Sequence, residues 1–162
     1  VQNLFLLIPF GYLVVIALPL AIIDIREHRL PNTLTLSAAV VTMLCLGMHS
    51  ALSGNWQAFI SASIAALLTF LVGWLLAAKA AIGMGDIKLL ISLNAFAGYF
   101  SPLLPLLGLT IALMGAVILN AFFLLGKKLT MQSSIALGPY LLAGFFIAVT
   151  PSAAEFTVAA WS

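Results

Sequence analysis

The chain carries four acidic side chains, Asp24, Glu27, Asp86 and Glu155, in a sequence that is otherwise almost wholly apolar. Two of them stand where apolar runs meet short polar segments. Asp24 follows the run from Leu4 to Ile23, and Asp86 follows Gly83-Met84-Gly85 and opens another run. Taken singly, each has an ordinary explanation. Asp86 suits a helix N-terminus, because its carboxylate accepts orphan backbone N–H groups, and Asp24 suits an interfacial charge balancing Arg26. Taken together they suit a carboxylate pair. Two carboxylates a few ångströms apart cannot both ionise easily and come to share a proton. One can then draw a proton from water, while the other, protonated, polarises an amide carbonyl and later protonates the leaving amine. Gly83 and Gly85, lacking side chains, would let a substrate backbone come close to Asp86.

Other chemistries find less support in these residues. Cys45 is the only cysteine and lies inside an apolar run, so it reads as an inert buried thiol and excludes a cysteine-based zinc cluster. His28 falls in a polar loop and His49 on the opposite side, too far apart to share a metal ion or serve a nucleophile. No metal and no other cofactor is expected. A net charge of +2 is too slight to argue for nucleic acid. A transporter or channel using Asp24 and Asp86 for protons or cations is the alternative function, because membrane acids often serve that purpose. A conduction path should carry polar groups through the midplane, however, whereas these acids gather at one face.

The elements that must position the pair follow from composition. With 64% hydrophobic and only 6% charged residues, the 162-residue chain belongs in lipid. A helix crosses the hydrocarbon core with roughly 20 apolar residues. The sequence divides accordingly into six helices: Leu4 to Ile23, about Thr33 to Leu52, about Trp56 to Ala78, the Gly-Met-Gly-Asp segment to near Tyr99, about Leu103 to Leu125, and a last run from near Ile135 to about Val149, where Thr150-Pro151 weakens it. No Lys or Arg precedes the first run, so it reads as a retained helix rather than a signal peptide. At roughly 14 residues, the fourth helix spans only about 20 Å. The expectation is an all-α polytopic transmembrane bundle filling residues 1–162 as one domain, with no soluble domain. Asn94 and Asn120 are expected to hydrogen-bond between helices, and Gly108, Ala112, Gly115 and Ala116 to let the fifth helix pack closely. Trp56 and Trp161 suit an outer aromatic belt and Trp74 an inner one. Arg26, Arg29, Lys79, Lys88, Lys127 and Lys128 all follow odd-numbered helices and share one face. Basic loops mark the cytoplasmic side, which places both termini outside and Asp24 and Asp86 at the inner face.

The two aspartate segments resemble a known family. Gly83-Met84-Gly85-Asp86-Ile87-Lys88-Leu89 is similar to the GxGDxKL motif of the type IV prepilin peptidases, intramembrane aspartyl proteases of the GxGD type. Asp24-x-Arg26 followed by Leu30-Pro31-Asn32 is similar to the first aspartate motif of that family, D-x-R-x-x-x-I-P-N, with leucine for the usual isoleucine. Ala136-Leu137-Gly138-Pro139-Tyr140-Leu141-Leu142-Ala143-Gly144 resembles its late glycine- and proline-containing helix. The resemblance implies that Asp24 and Asp86 are the catalytic pair, supported by Gly83, Gly85, Lys88, Arg26, Pro31 and Asn32. Lys88 would neutralise the carboxylates, meet an acidic substrate residue, or simply snorkel. The implied reaction removes the short basic leader of prepilins at the cytoplasmic face of the bacterial inner membrane, after a glycine. Bifunctional relatives carry an insertion with paired CxxC zinc motifs and also methylate the new N-terminus. The sequence has no such insertion and resembles the short peptidases of tight-adherence, or Flp, pili, which implies cleavage without methylation. Archaeal preflagellin peptidases are the near alternative.

Overall fold

The computed structural model describes residues 3–27, 29–79, 83–125 and 137–161, and the side chains of all these but 123–125 and 153–161. His28, Lys127, Lys128 and Ala136 lie outside the described residues, as do the side chains of Glu155 and Trp161. Among the described residues the fold is wholly helical: α1 (Leu4–Glu27), α2 (Asn32–Ser53), α3 (Trp56–Ala78), α4 (Met84–Phe100), α5 (Leu104–Leu125) and α6 (Gly138–Trp161). In α1, α2, α3 and α5 the apolar stretch is long enough to cross a membrane; α6 has a shorter one, Gly138–Ser152.

The helix boundaries follow from local chemistry. Gly54 ends α2 in the left-handed conformation with φ of 73°, which costs glycine nothing. Asn55 then caps α3, its side chain accepting the Ala58 N–H at 3.2 Å. At the start of α2, Pro31 cannot extend a preceding helix, and its carbonyl receives the first-turn N–H groups of Leu34 and Thr35 at 3.1 and 3.2 Å.

Three boundaries differ from those read in the sequence. α1 does not stop at Ile23 but continues to Glu27, so Asp24 lies within the helix rather than after it. Polarity alone does not end a helix, and Arg26 in the last turn complements the negative C-terminal end of the helix. α4 has 17 residues, about 25 Å of helix. α6 begins at Gly138 and runs on through Pro151; Ile135, where the sequence put its start, lies outside the described residues.

α4 is the centre of the bundle, packed against α2, α3, α5 and α6. Small residues admit its neighbours. A Cβ on Gly98 would stand 2.8 Å from the Ala65 Cβ of α3, and Ser61 donates its hydroxyl to the Gly98 carbonyl at 2.7 Å. Phe96, fully buried, meets the rings of Phe10, Phe100 and Phe145 at centroid distances of 6.0, 5.3 and 6.0 Å. α5 and α6 approach as the small residues suggest, with Gly144 seated against the Gly108 carbonyl and Ala112. Asn94 bonds across to Thr69 on α3 at 2.9 Å. Asn120 does not reach a neighbouring helix: its amide donates to the Ala116 carbonyl of its own helix at 2.6 Å. At the far end of α4, the Tyr99 hydroxyl meets His49 Nδ1 at 2.6 Å and Ser50 Oγ at 2.9 Å, tying α4 to α2. The exposed rings of Trp56 and Trp74 stand toward opposite ends of α3.

Candidate active site

Asp24, on the last turns of α1, is only 4% exposed. A buried carboxylate needs donors. One comes from 114 residues away: the backbone N–H of Gly138, the first residue of α6, donates to Asp24 Oδ2 at 2.8 Å. First-turn N–H groups have no acceptor within their own helix, and the N-terminal end of a helix favours negative charge. α1 packs against α6, which brings donor and acceptor together. The approach depends on glycine, because a Cβ at position 138 would stand 2.8 Å from Asp24 Oδ2.

Asp86 lies in the first turn of α4, three residues after Gly83. From there its carboxylate takes the Gly83 backbone N–H, the return half of a capping box. The capping explanation of Asp86 therefore holds, but it occupies one side of the carboxylate only. Asp86 Oδ1 is buried and has no hydrogen-bond partner among the described residues.

Both aspartates open onto one cleft of about 220 Å³, lined also by Arg29, Leu30, Gly83, Met84 and Gly85. The Asp24 charge acts electrostatically on Asp86 across it. Helices α2 and α6 each pack against both α1 and α4, so the two carboxylates are held by common neighbours.

The remaining sequence-derived residues divide. Lys88 Nζ donates to Asn32 Oδ1 at 2.8 Å, joining the start of α4 to the start of α2 rather than pairing with a carboxylate. Pro31 caps the start of α2, its carbonyl accepting the Leu34 and Thr35 N–H groups. Arg26 and Arg29 are exposed, and Arg29 alone of the two lines the cleft. Gly85 does not leave room for a substrate backbone. Leu30 occupies that space: a Cβ on Gly85 would lie 2.9 Å from the Leu30 Cβ and 3.3 Å from its backbone nitrogen and oxygen. Gly83 is exposed, and a Cβ there would stand 3.2 Å from Asp86 Oδ2. Two participants went unmarked in the sequence, Leu30 as the partner of Gly85 and Gly138 as the donor to Asp24. The available signal for the second was Gly138-Pro139, since proline is at home in the first turn of a helix.

The chain has relatives among known proteins. Residues 11–158 match the type IV leader peptidase family. A prepilin leader peptidase/N-methyltransferase of Pectobacterium carotovorum subsp. carotovorum is 37% identical over 134 residues, covering 78% of this chain and 45% of its own length. Proteins of the same description from Xanthomonas campestris pv. campestris and Pseudomonas putida are 32% and 31% identical over 133 and 139 residues, covering 77% and 82% of this chain and 44% and 46% of their own lengths. The chain thus spans about half the length of the curated relatives it matches. No solved structure gives a significant match. With nearly its whole length matched by the family and both aspartate segments meeting in one cleft, the chain belongs to the type IV leader peptidase family.

Proposed function

We propose that this chain is an aspartyl endopeptidase that removes the short basic leader from type IV prepilins of the Flp class, at the cytoplasmic face of the bacterial inner membrane. The observation that carries the reading is the shared cleft, in which Asp24 is bound to a backbone donor and Asp86 Oδ1 has no hydrogen-bond partner among the described residues. A pair holding one proton hydrolyses an amide without a covalent intermediate. The ionised member takes a proton from water as the water oxygen bonds to the carbonyl carbon, and the protonated member gives its proton to the carbonyl oxygen. In the second step the first member, rather than the carbonyl-polarising one as first expected, gives its proton to the amide nitrogen, and the other takes one back from a hydroxyl. The C–N bond breaks, leaving a carboxylic acid and a free amine, and the pair regains its starting state.

Membrane placement fits such a substrate. A prepilin has a polar leader followed by an apolar helix, so a cleft at the membrane boundary meets the cut site while that helix stays in lipid. The described basic residues Arg26, Arg29, Lys79 and Lys88 all lie close to helix ends on the side of the two aspartates in sequence, which supports a cytoplasmic cleft with both termini outside. We assign these residues cleavage without methyl transfer. The relatives are named for both activities, but Cys45, the one cysteine in the sequence, lies in α2 and offers no CxxC pair.

Co-expression with a prepilin tests the reading. The product is expected to begin directly after the leader's glycine, by mass measurement of the new N-terminus, and to take up no label from a methyl donor. Asp24→Asn and Asp86→Asn are each expected to lower cleavage by at least about 100-fold while membrane insertion persists. Unchanged processing in either variant would falsify the assignment.

A further inference from the structure

The two carboxylates are held differently, and the difference allots their roles. We propose that Gly138 is a positioning residue whose backbone N–H holds Asp24 as the base of the pair, leaving Asp86 as the acid. This rests on the dyad reading above and adds to it which aspartate does what.

Three features support the assignment. The donor is fixed: Gly138 opens a helix whose Leu141, Phe145 and Val149 are buried in the core and whose Gly144 is seated on α5, so the N–H cannot follow a wandering carboxylate. The contact is also too close for any side chain, since a Cβ on Gly138 would stand 2.8, 3.2 and 3.4 Å from Asp24 Oδ2, Cγ and Cβ. Pro139 adds no N–H of its own, so Gly138 supplies the bond to Asp24. A hydrogen bond from a helix N-terminus to a carboxylate is charge-assisted and favours the anion. Asp86 is provided for less fully: it takes the Gly83 N–H at the start of its own helix, but its other oxygen has no such donor. Its Oδ1 is buried with no donor among the described residues, and a bare carboxylate oxygen in a confined site is where a proton belongs. Once protonated, the carboxyl group of Asp86, which lines the cleft, is the one to donate to a substrate carbonyl there. In the sequence of steps above, Asp24 accordingly draws the proton from water and Asp86 supplies the one for the carbonyl oxygen.

The test uses the purified full chain and a prepilin-type peptide. Gly138→Ala pushes a methyl group into Asp24 and is expected to lower kcat about 10- to 100-fold, the worth of one charge-assisted hydrogen bond, with KM changed less than about twofold. Gly98→Ala, equally crowded but against α3, is the packing control and is expected to leave kcat per folded enzyme unchanged. A second measurement leaves position 138 untouched. Asp24 and Asp86 are the only aspartates in the sequence, so infrared spectra edited with carboxyl-labelled aspartate contain just these two groups. At the pH of maximal cleavage, Asp86→Asn is expected to remove the protonated-acid band and keep the carboxylate band at its wild-type frequency. Loss or displacement of the carboxylate band in that variant, or wild-type kcat in Gly138→Ala, overturns the assignment. Survival of cleavage in Asp24→Asn or Asp86→Asn instead overturns the dyad itself.

Discussion

Gly85→Ala should separate packing from substrate access at the site. The new methyl carbon would lie 2.9 Å from the Leu30 Cβ and 3.3 Å from the Leu30 backbone nitrogen and oxygen, against the 3.5–4.0 Å at which carbon atoms attract. Leu30 is 8% exposed and is followed by Pro31, so it cannot swing aside. Overpacking of this kind costs about 1–3 kcal/mol, and alanine in place of glycine in a helix returns about 0.5–1 kcal/mol. The expected net loss is about 0–2.5 kcal/mol of stability. Relief requires α4 to move away from the α1–α2 connection, which shifts Asp86 relative to Asp24. A misplacement of about 1 Å can lower the rate 100-fold, so kcat is expected to fall about 10- to 100-fold. Gly83→Ala is the contrast. Its backbone, at φ −69° and ψ 142°, accepts alanine, and its new methyl meets only the movable Asp86 carboxylate at 3.2 Å. Its stability should stay within about 0.5 kcal/mol of wild type, while crowding at the carboxylate lowers kcat. Thermal unfolding in detergent and leader removal from a prepilin, read side by side, distinguish the two. A Gly85→Ala protein as stable and as fast as wild type would refute the claim that Leu30 fills the space.

Two further perturbations test how the bundle carries the site. Lys88→Met and Asn32→Ala each break the 2.8 Å bond between α4 and α2; each should cost about 0.5–1.5 kcal/mol, and the double variant should cost little more than either, whereas additive losses in unfolding midpoints would show that the pair is not coupled. Tyr99→Phe leaves His49 Nδ1 and Ser50 Oγ without their shared hydroxyl and should cost about 1–3 kcal/mol with cleavage per folded enzyme intact, because Tyr99 lies at the opposite end of α4 from Asp86; a selective loss of kcat would mean that the far end of α4 governs the cleft.

What could be read in advance, and what could not, divides by the range of the interaction. The bounds of α3 were legible because Asn55 caps one end and the apolar run stops at Lys79, both within a turn of the boundary. The extent of α1 was not, because its polar last turn is as good a helix as its apolar body. Asn94 and Asn120 look alike in sequence, each a lone amide in an apolar run. Thr69 opposite Asn94 gives one a partner on another helix, while the other donates to the Ala116 carbonyl of its own helix.

The aspartates themselves were visible as costly charges, yet what holds them is backbone: the Gly83 N–H at Asp86, the Gly138 N–H at Asp24, and the Leu30 backbone against Gly85. Backbone partners leave no charged or aromatic signature, only glycines where a side chain would intrude and prolines where a helix must begin. The site should accordingly be more sensitive at Gly85 and Gly138 than at the exposed Arg26, whose charge is already solvated. Sensitivity at Arg26 matching that at the two glycines would mean that side-chain electrostatics, not backbone packing, sets the distance between the carboxylates.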